Sequence, residues 1–159
     1  MATQTAKLLT NDRAGYTTQK LVFSGGTPGT LNGATEFGFV LPAGSWRLTE
    51  VTLAAGVNTT HTTSTPLITL SVEKNTDGGT SALTTAPSLD NTAGTGYKST
   101  IATATGIVVG VPKTDADGLF TQGQVAFVTL SETGASGTDP SDVFFNLVFT
   151  RDSDFDATA

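Results

Sequence analysis

The sequence contains no cysteine and a single histidine, and only 14% of its 159 residues are charged. The absence of cysteine excludes a disulfide framework, a thiolate nucleophile and a zinc site with sulfur ligands. The fold must therefore be held by packing alone, and one domain of this length buries enough surface for an ordinary core. The single histidine, His61, is too little to build a histidine-based metal site, and we expect it to be an exposed loop residue.

Positive charge is also scarce. Eight Lys and Arg residues stand against 14 Asp and Glu, which gives a net charge of -6 and a pI near 4.4. Such a chain has no basic surface for a phosphate backbone, so nucleic acid is not expected as a direct partner. No apolar run approaches the roughly 20 residues that span a bilayer, and no export signal is visible. We therefore expect no membrane partner, and a protein made and assembled in a cytosol.

Threonine and glycine supply the polarity that charge does not, with 32 Thr and 18 Gly. Threonine is β-branched and favours strands over helices. Apolar and polar residues alternate in eight or nine short segments, which predict strands over 19–23, 35–41, 46–54, 67–73, 81–85, 99–104, 107–111, 124–130 and 143–151. No segment carries a sustained helical stripe. The pattern predicts an all-β protein, an antiparallel two-sheet β-sandwich of jelly-roll type without substantial helix.

Three local patterns predict finer features of the strands. The apolar phase changes within 46–54, because Trp46 and Leu48 share one parity and Val51 and Leu53 share the other, so we predict a β-bulge between the two pairs. Residues 143–151 are apolar on both faces, which is typical of a central strand whose second face is covered by a loop or a neighbouring subunit. Glycine and proline in 24–29 predict a turn.

The predicted organisation is one β-sandwich domain over residues 19–151 between two polar ends. Residues 1–18 form an N-terminal arm with one apolar couple, Leu8 and Leu9. Two interpretations stay open for this arm: a frayed terminus or extra edge strand, or a segment that docks on a partner by strand addition. Residues 152–159 form an acidic C-terminal tail, typical of a solvated end that protects a sheet edge.

No catalytic constellation emerges from the sequence, and we predict no enzyme activity and no cofactor. The alternation Asp115-Ala116-Asp117-Gly118 resembles the start of a calcium loop, but it lacks the further acidic ligands, so a turn capped by its own aspartates is favoured. Glycoside hydrolysis needs two facing carboxylates. Three strand glutamates are candidates for such a pair, although a solvated sheet face is the commoner explanation: Glu36, Glu50 and Glu73.

Four short stretches of the chain resemble a known group of proteins. They are Phe37–Gly44, Leu48–Leu53, Leu67–Lys74 and Ser88–Gly94. Their succession of strands and turns, over roughly residues 35–151, is similar to that of small virion proteins of tailed bacteriophages: capsid decoration, or cement, proteins and related head or fibre domains.

The resemblance implies a β-sandwich that trimerises on the outside of a phage capsid and clasps the major capsid protein with its termini or loops. It implies a homotrimer whose partner is the major capsid protein, located on the capsid exterior of the virion and assembled in the host cytoplasm. We assign the capsid contact to four residues of the arm: Leu8, Leu9, Arg13 and Tyr16. We assign packing between subunits to the doubly apolar last strand, at Phe144 and Val148.

Other functions stay open beside this one. A head-fibre or tail-attachment protein has the same style of sequence. A carbohydrate-binding β-sandwich module would need exposed aromatic platforms, for which Trp46, Tyr16 and Tyr97 are the candidates. Trp46 begins a strand, so its burial is favoured over a sugar contact.

Overall fold

The computed structural model describes residues 3–13, 16–55, 67–91, 97–99, 107–133 and 141–151. These residues form twelve strands: β1 (Thr3–Arg13), β2 (Tyr16–Thr30), β3 (Ala34–Val40), β4 (Ser45–Ala55), β5 (Leu67–Lys74), β6 (Leu83–Thr85), β7 (Ser88–Asn91), β8 (Tyr97–Ser99), β9 (Ile107–Pro112), β10 (Leu119–Thr121), β11 (Val125–Thr133) and β12 (Ser141–Arg151). One 3-10 turn, Ala116–Gly118, precedes β10.

The strands form two antiparallel sheets. The first has the order β1-β2-β12-β4-β9-β6, with β10 paired to β4, and the second has the order β3-β11-β5-β7-β8. The predicted all-β sandwich without substantial helix is confirmed. The structure has more strands than the eight or nine expected, because β7, β8 and β10 have only three or four residues and carry too few alternations to stand out. Of the predicted strand 99–104, residues 100–104 lie outside the described part of the chain.

The core lies between the sheets and is rich in phenylalanine. Phe37 packs edge-on against Phe145, with ring centroids 5.0 Å apart, and Phe120 packs edge-on against Phe149 at 5.3 Å. Edge-to-face contacts of this kind add about 0.5–1.5 kcal/mol beyond the burial of area. The predicted inward residues of β5, Ile68, Leu70 and Val72, are all fully buried.

The predicted bulge in β4 is confirmed. Along the β4–β12 ladder, Val148 is opposite Glu50 but Phe149 is opposite Leu48, so Thr49 is the extra residue. Thr49 and Glu50 are consecutive exposed residues, whereas Leu48 and Val51 on either side are buried. The bulge therefore restores the apolar side chains of both halves of the strand to the core.

The predicted turn over 24–29 is wrong, because these residues continue β2 without interruption. The glycines answer to neighbouring side chains instead. A Cβ on Gly25 would overlap the ring of Phe145, and a Cβ on Gly26 would overlap that of Phe144, both on the adjacent strand β12. Glycine in a strand marks such a close approach as well as a turn.

Candidate binding surfaces

The N-terminal segment is part of the first sheet. β1 pairs with β2 residue by residue from Thr3 opposite Gly26 to Arg13 opposite Tyr16. β2 begins at Tyr16 and therefore runs across the boundary predicted at residue 18. The backbone thus has the form of the extra edge strand that was one interpretation of this arm.

The four predicted capsid-contact residues come together on this hairpin. Arg13 and Tyr16 are directly paired, Leu8 is opposite Leu21, and Leu9 is opposite Lys20. Their side chains are outside what the structure describes, and so is the tail at 152–159.

The outer face of the first sheet carries a group of uncovered apolar side chains. Phe144 is 41% exposed, and the partly buried Val148 lies one row away, next to Val22. Across the ladder, Phe144 is opposite Ala54 of β4. The structure therefore places both predicted subunit-packing residues on one solvent-facing surface of a central strand.

Two exposed residues of this surface were missed in the sequence. Val109 is 58% exposed and Val111 is 50% exposed, both on β9. They alternate with the buried Val108 and Gly110, but a continuous apolar run such as 107–111 is equally typical of a strand buried on both faces. We call the set the outer apolar face; its members are Val22, Ala54, Val109, Val111, Phe144 and Val148.

Polar side chains border the outer apolar face. Ser24 donates a hydrogen bond to Asn146 over 2.6 Å, and Lys20 lies 3.8 Å from Glu50. Both charged side chains are largely exposed, at 43% and 60%, so this ion pair contributes little to stability.

The aspartate pair at 115–117 forms a capped turn, as its sequence predicted. The Asp115 carboxylate accepts a hydrogen bond from the Asp117 amide at 2.9 Å, and Asp117 pairs with Lys113 at 2.9 Å. Arg47 donates to the carbonyl of Thr114 at 2.7 Å, which ties the loop to β4.

Lys74 ties the same loop to β5. Its ammonium donates to the carbonyl of Ala116 and lies over the ring of Phe120, 5.4 Å from the centroid. Burial lowers the pKa of Lys74 below its ordinary value, and the nearby Asp117 and Asp115 oppose that shift.

The three candidate glutamates do not form one site. Glu36 and Glu73 lie on the second sheet, opposite Thr129 and Phe127 of β11, whereas Glu50 lies on the first sheet. Glu73 accepts a hydrogen bond from the amide of Gly78 at 2.6 Å and so fastens the turn after β5. Within the described ranges, no three His, Cys, Asp or Glu side chains are grouped to hold a metal ion. His61 lies outside those ranges.

Trp46 is buried, as the sequence favoured. It is 2% exposed, and its indole nitrogen donates to the carbonyl of Pro42 at 3.3 Å. A side chain in this position is part of the core and offers no platform to a sugar. For the other two candidates, Tyr16 and Tyr97, the structure describes the backbone only.

Comparison with known proteins adds little to this description. No model of a protein family matches the sequence, and no curated protein matches it. A solved structure from a study of the promiscuous specificity of carbohydrate-binding modules of the β-sandwich superfamily is similar over 92% of this chain, with 12% identity and a TM-score of 0.27. The chain spans about half of that structure, 51% of its length. A TM-score this low carries no argument about function. Among the described residues, no helix has the length and apolar character that crossing a membrane requires.

Proposed function

We propose that this chain is a non-enzymatic structural virion protein, a homotrimer that binds the outside of a phage capsid and stabilises the shell by bridging major capsid protein subunits. The observation that carries the proposal is the outer apolar face. Phe144, Val109 and Val111 are each at least 41% exposed on a sheet whose opposite side is the packed core. A grouped apolar surface with a polar border is typical of a protein interaction site.

The resemblance of the four sequence stretches to capsid decoration proteins supports the choice of partner. The residues assigned to the two contacts also lie apart: the capsid-contact residues belong to the edge hairpin β1–β2, and the subunit-packing residues belong to the central strand β12. One subunit can therefore engage its own copies and the shell at the same time.

The proposed mechanism is multivalent. Once one subunit of a trimer is bound, the other two act at a high effective concentration, so weak single contacts add up to a durable attachment. Each bridging subunit adds contacts that expansion of the shell would have to break. No reacting group is needed for this role.

The test is to mix the protein with shells that lack it. We expect saturable binding with a fixed stoichiometry, measured by co-sedimentation, and an increase in the temperature at which the shells open. The double variant Leu8→Ser/Leu9→Ser should attach at least tenfold more weakly. Val40→Ser is the matched control, because Val40 is 65% exposed but lies on the second sheet.

Two results would contradict the proposal. One is an absence of binding to any shell by a protein that is folded by circular dichroism. The other is a specific hit in a glycan screen that is lost in Phe144→Ala, since Phe144 is an exposed aromatic residue on the described surface whereas Trp46 is not.

A further inference from the structure

β1 is a long, regular sheet edge. It pairs with β2 through eleven consecutive residues without a register shift, and its other side has no strand in the order of the first sheet. The segment Thr3–Arg13 contains neither proline nor glycine. Natural proteins protect exposed edges with short strands, prolines, bulges or inward charges, because an open edge binds further strands.

The remaining edges among the described strands are protected in these ways. β6 and β8 have three residues each, and the ladder of β6 is interrupted by a register shift. β3 has seven residues and contains Gly38. β1 is therefore the edge with the greatest capacity for a new ladder.

The opposing sheet does not cover this edge at the residues whose exposure is described. Gln4 and Ala6 are exposed, although their direct partners Gly25 and Phe23 on β2 are buried. The sandwich is thus complete at β2 and incomplete at β1.

We propose that β1 pairs with β1 of a second copy of this chain, antiparallel about a two-fold axis, so that the two first sheets become one continuous sheet. Charge complementarity within the strand favours this occupant. Lys7 and Asp12 are five residues apart. A register with its axis between Leu9 and Thr10 places Lys7 opposite Asp12 of the second copy, and Asp12 opposite Lys7 of the second copy. Opposite charges directly across an antiparallel ladder stabilise that register.

This pairing goes beyond the proposed function and does not depend on it. A ring of three copies has no internal two-fold axis, so the contact joins copies of neighbouring trimers, and in the absence of trimers it gives a dimer. The ladder uses the main chain at the edge, whereas side chains of a strand stand on its two faces. The hairpin therefore keeps its faces for a contact with the shell.

Charge reversal tests the pairing in solution, without shells. Lys7→Asp places two aspartates opposite each other, and Asp12→Lys places two lysines opposite each other. Each single variant should weaken self-association about tenfold in sedimentation equilibrium, since two symmetric pairs change from attraction to repulsion. The double variant Lys7→Asp/Asp12→Lys should restore it. Equal association of all four proteins, or a double variant weaker than both single variants, would overturn the proposal.

The lack of native cysteine allows a second measurement that does not depend on charge. A mixture of the single variants Leu9→Cys and Thr10→Cys should form a disulfide-linked heterodimer under mild oxidation, because direct cross-strand neighbours have suitable Cα separations. Leu9→Cys mixed with Thr5→Cys is the control and should remain unlinked. If association persists in all β1 variants but is lost in Phe144→Asp, the copies meet through the outer apolar face and the proposed pairing is wrong.

Discussion

Gly25 and Gly26 lie in the middle of β2, where glycine weakens a strand by about 0.5–1 kcal/mol relative to alanine. Their neighbours on β12 explain the choice, because Phe145 and Phe144 occupy the space that a Cβ would need. Phe145 is 1% exposed and has no room to withdraw. The same glycines that suggest a turn in the sequence thus allow two aromatic rings to lie against the backbone.

We predict that Gly25→Ala destabilises the protein by about 1–3 kcal/mol, the usual cost of overpacking a core. The free energy of unfolding in urea measures this change. Gly38→Ala is the control: a Cβ there would lie 3.6 Å from Val125, an ordinary contact, so its effect should be close to zero or stabilising. Adding Phe145→Leu to Gly25→Ala should recover part of the loss, and a neutral Gly25→Ala would refute the assignment.

Lys74 gives the fold a pH dependence at the same scale. Because burial lowers its pKa in the folded state, the unfolded chain binds more protons at this group between the lowered and the ordinary pKa. The contribution of Lys74 to stability therefore rises with pH across that window and levels off above the model value of 10.5. We predict that the stability of the wild-type protein minus that of Lys74→Met increases from neutral pH towards 10.5. A difference that falls over this range would show that the neighbouring aspartates outweigh burial.

β4 illustrates how one residue sets the geometry of an element. Thr49 is the bulge residue, and its hydroxyl lies 3.1 Å from both the carbonyl of Val148 and the hydroxyl of Thr150. Without the extra residue, the half of β4 that contains Trp46 and Leu48 would change faces.

We predict that deletion of Thr49 removes cooperative unfolding or costs more than about 3 kcal/mol, the size of losing a large core residue. Thr49→Ala keeps the bulge and loses only the hydroxyl contacts, so it should cost about 1 kcal/mol. Thermal unfolding followed by circular dichroism compares the two. Similar losses in both variants would show that the hydrogen bonds of Thr49 matter and its register role does not.

At the scale of the molecule, the outer apolar face joins residues from four strands, β2, β4, β9 and β12. The first sheet brings them into one surface, because β12 and β4 lie at its centre and place Phe144 beside Ala54. In the proposed trimer this surface is buried between subunits.

We predict that Phe144→Asp abolishes the trimer while the fold is retained, since a buried charge without a partner is costly in an interface and harmless in water. Light scattering gives the mass, and circular dichroism gives the fold. Val40→Asp, on the second sheet, should leave the mass unchanged. A trimer that survives Phe144→Asp would place subunit packing elsewhere.

The sequence alone determined the class of fold, the inward faces of the main strands and the bulge in β4, because period-two alternation and a change of phase are local properties of a strand. It also singled out Phe144 and Val148, since apolar residues on both faces of one strand are visible in its own sequence. Tertiary structure decided the rest: the order of strands, the passage of β2 through its glycines, the short strands β7, β8 and β10, and the exposure of Val109 and Val111. These features depend on which strand lies alongside and on how far the opposite sheet reaches, and both are set by residues that are distant along the chain.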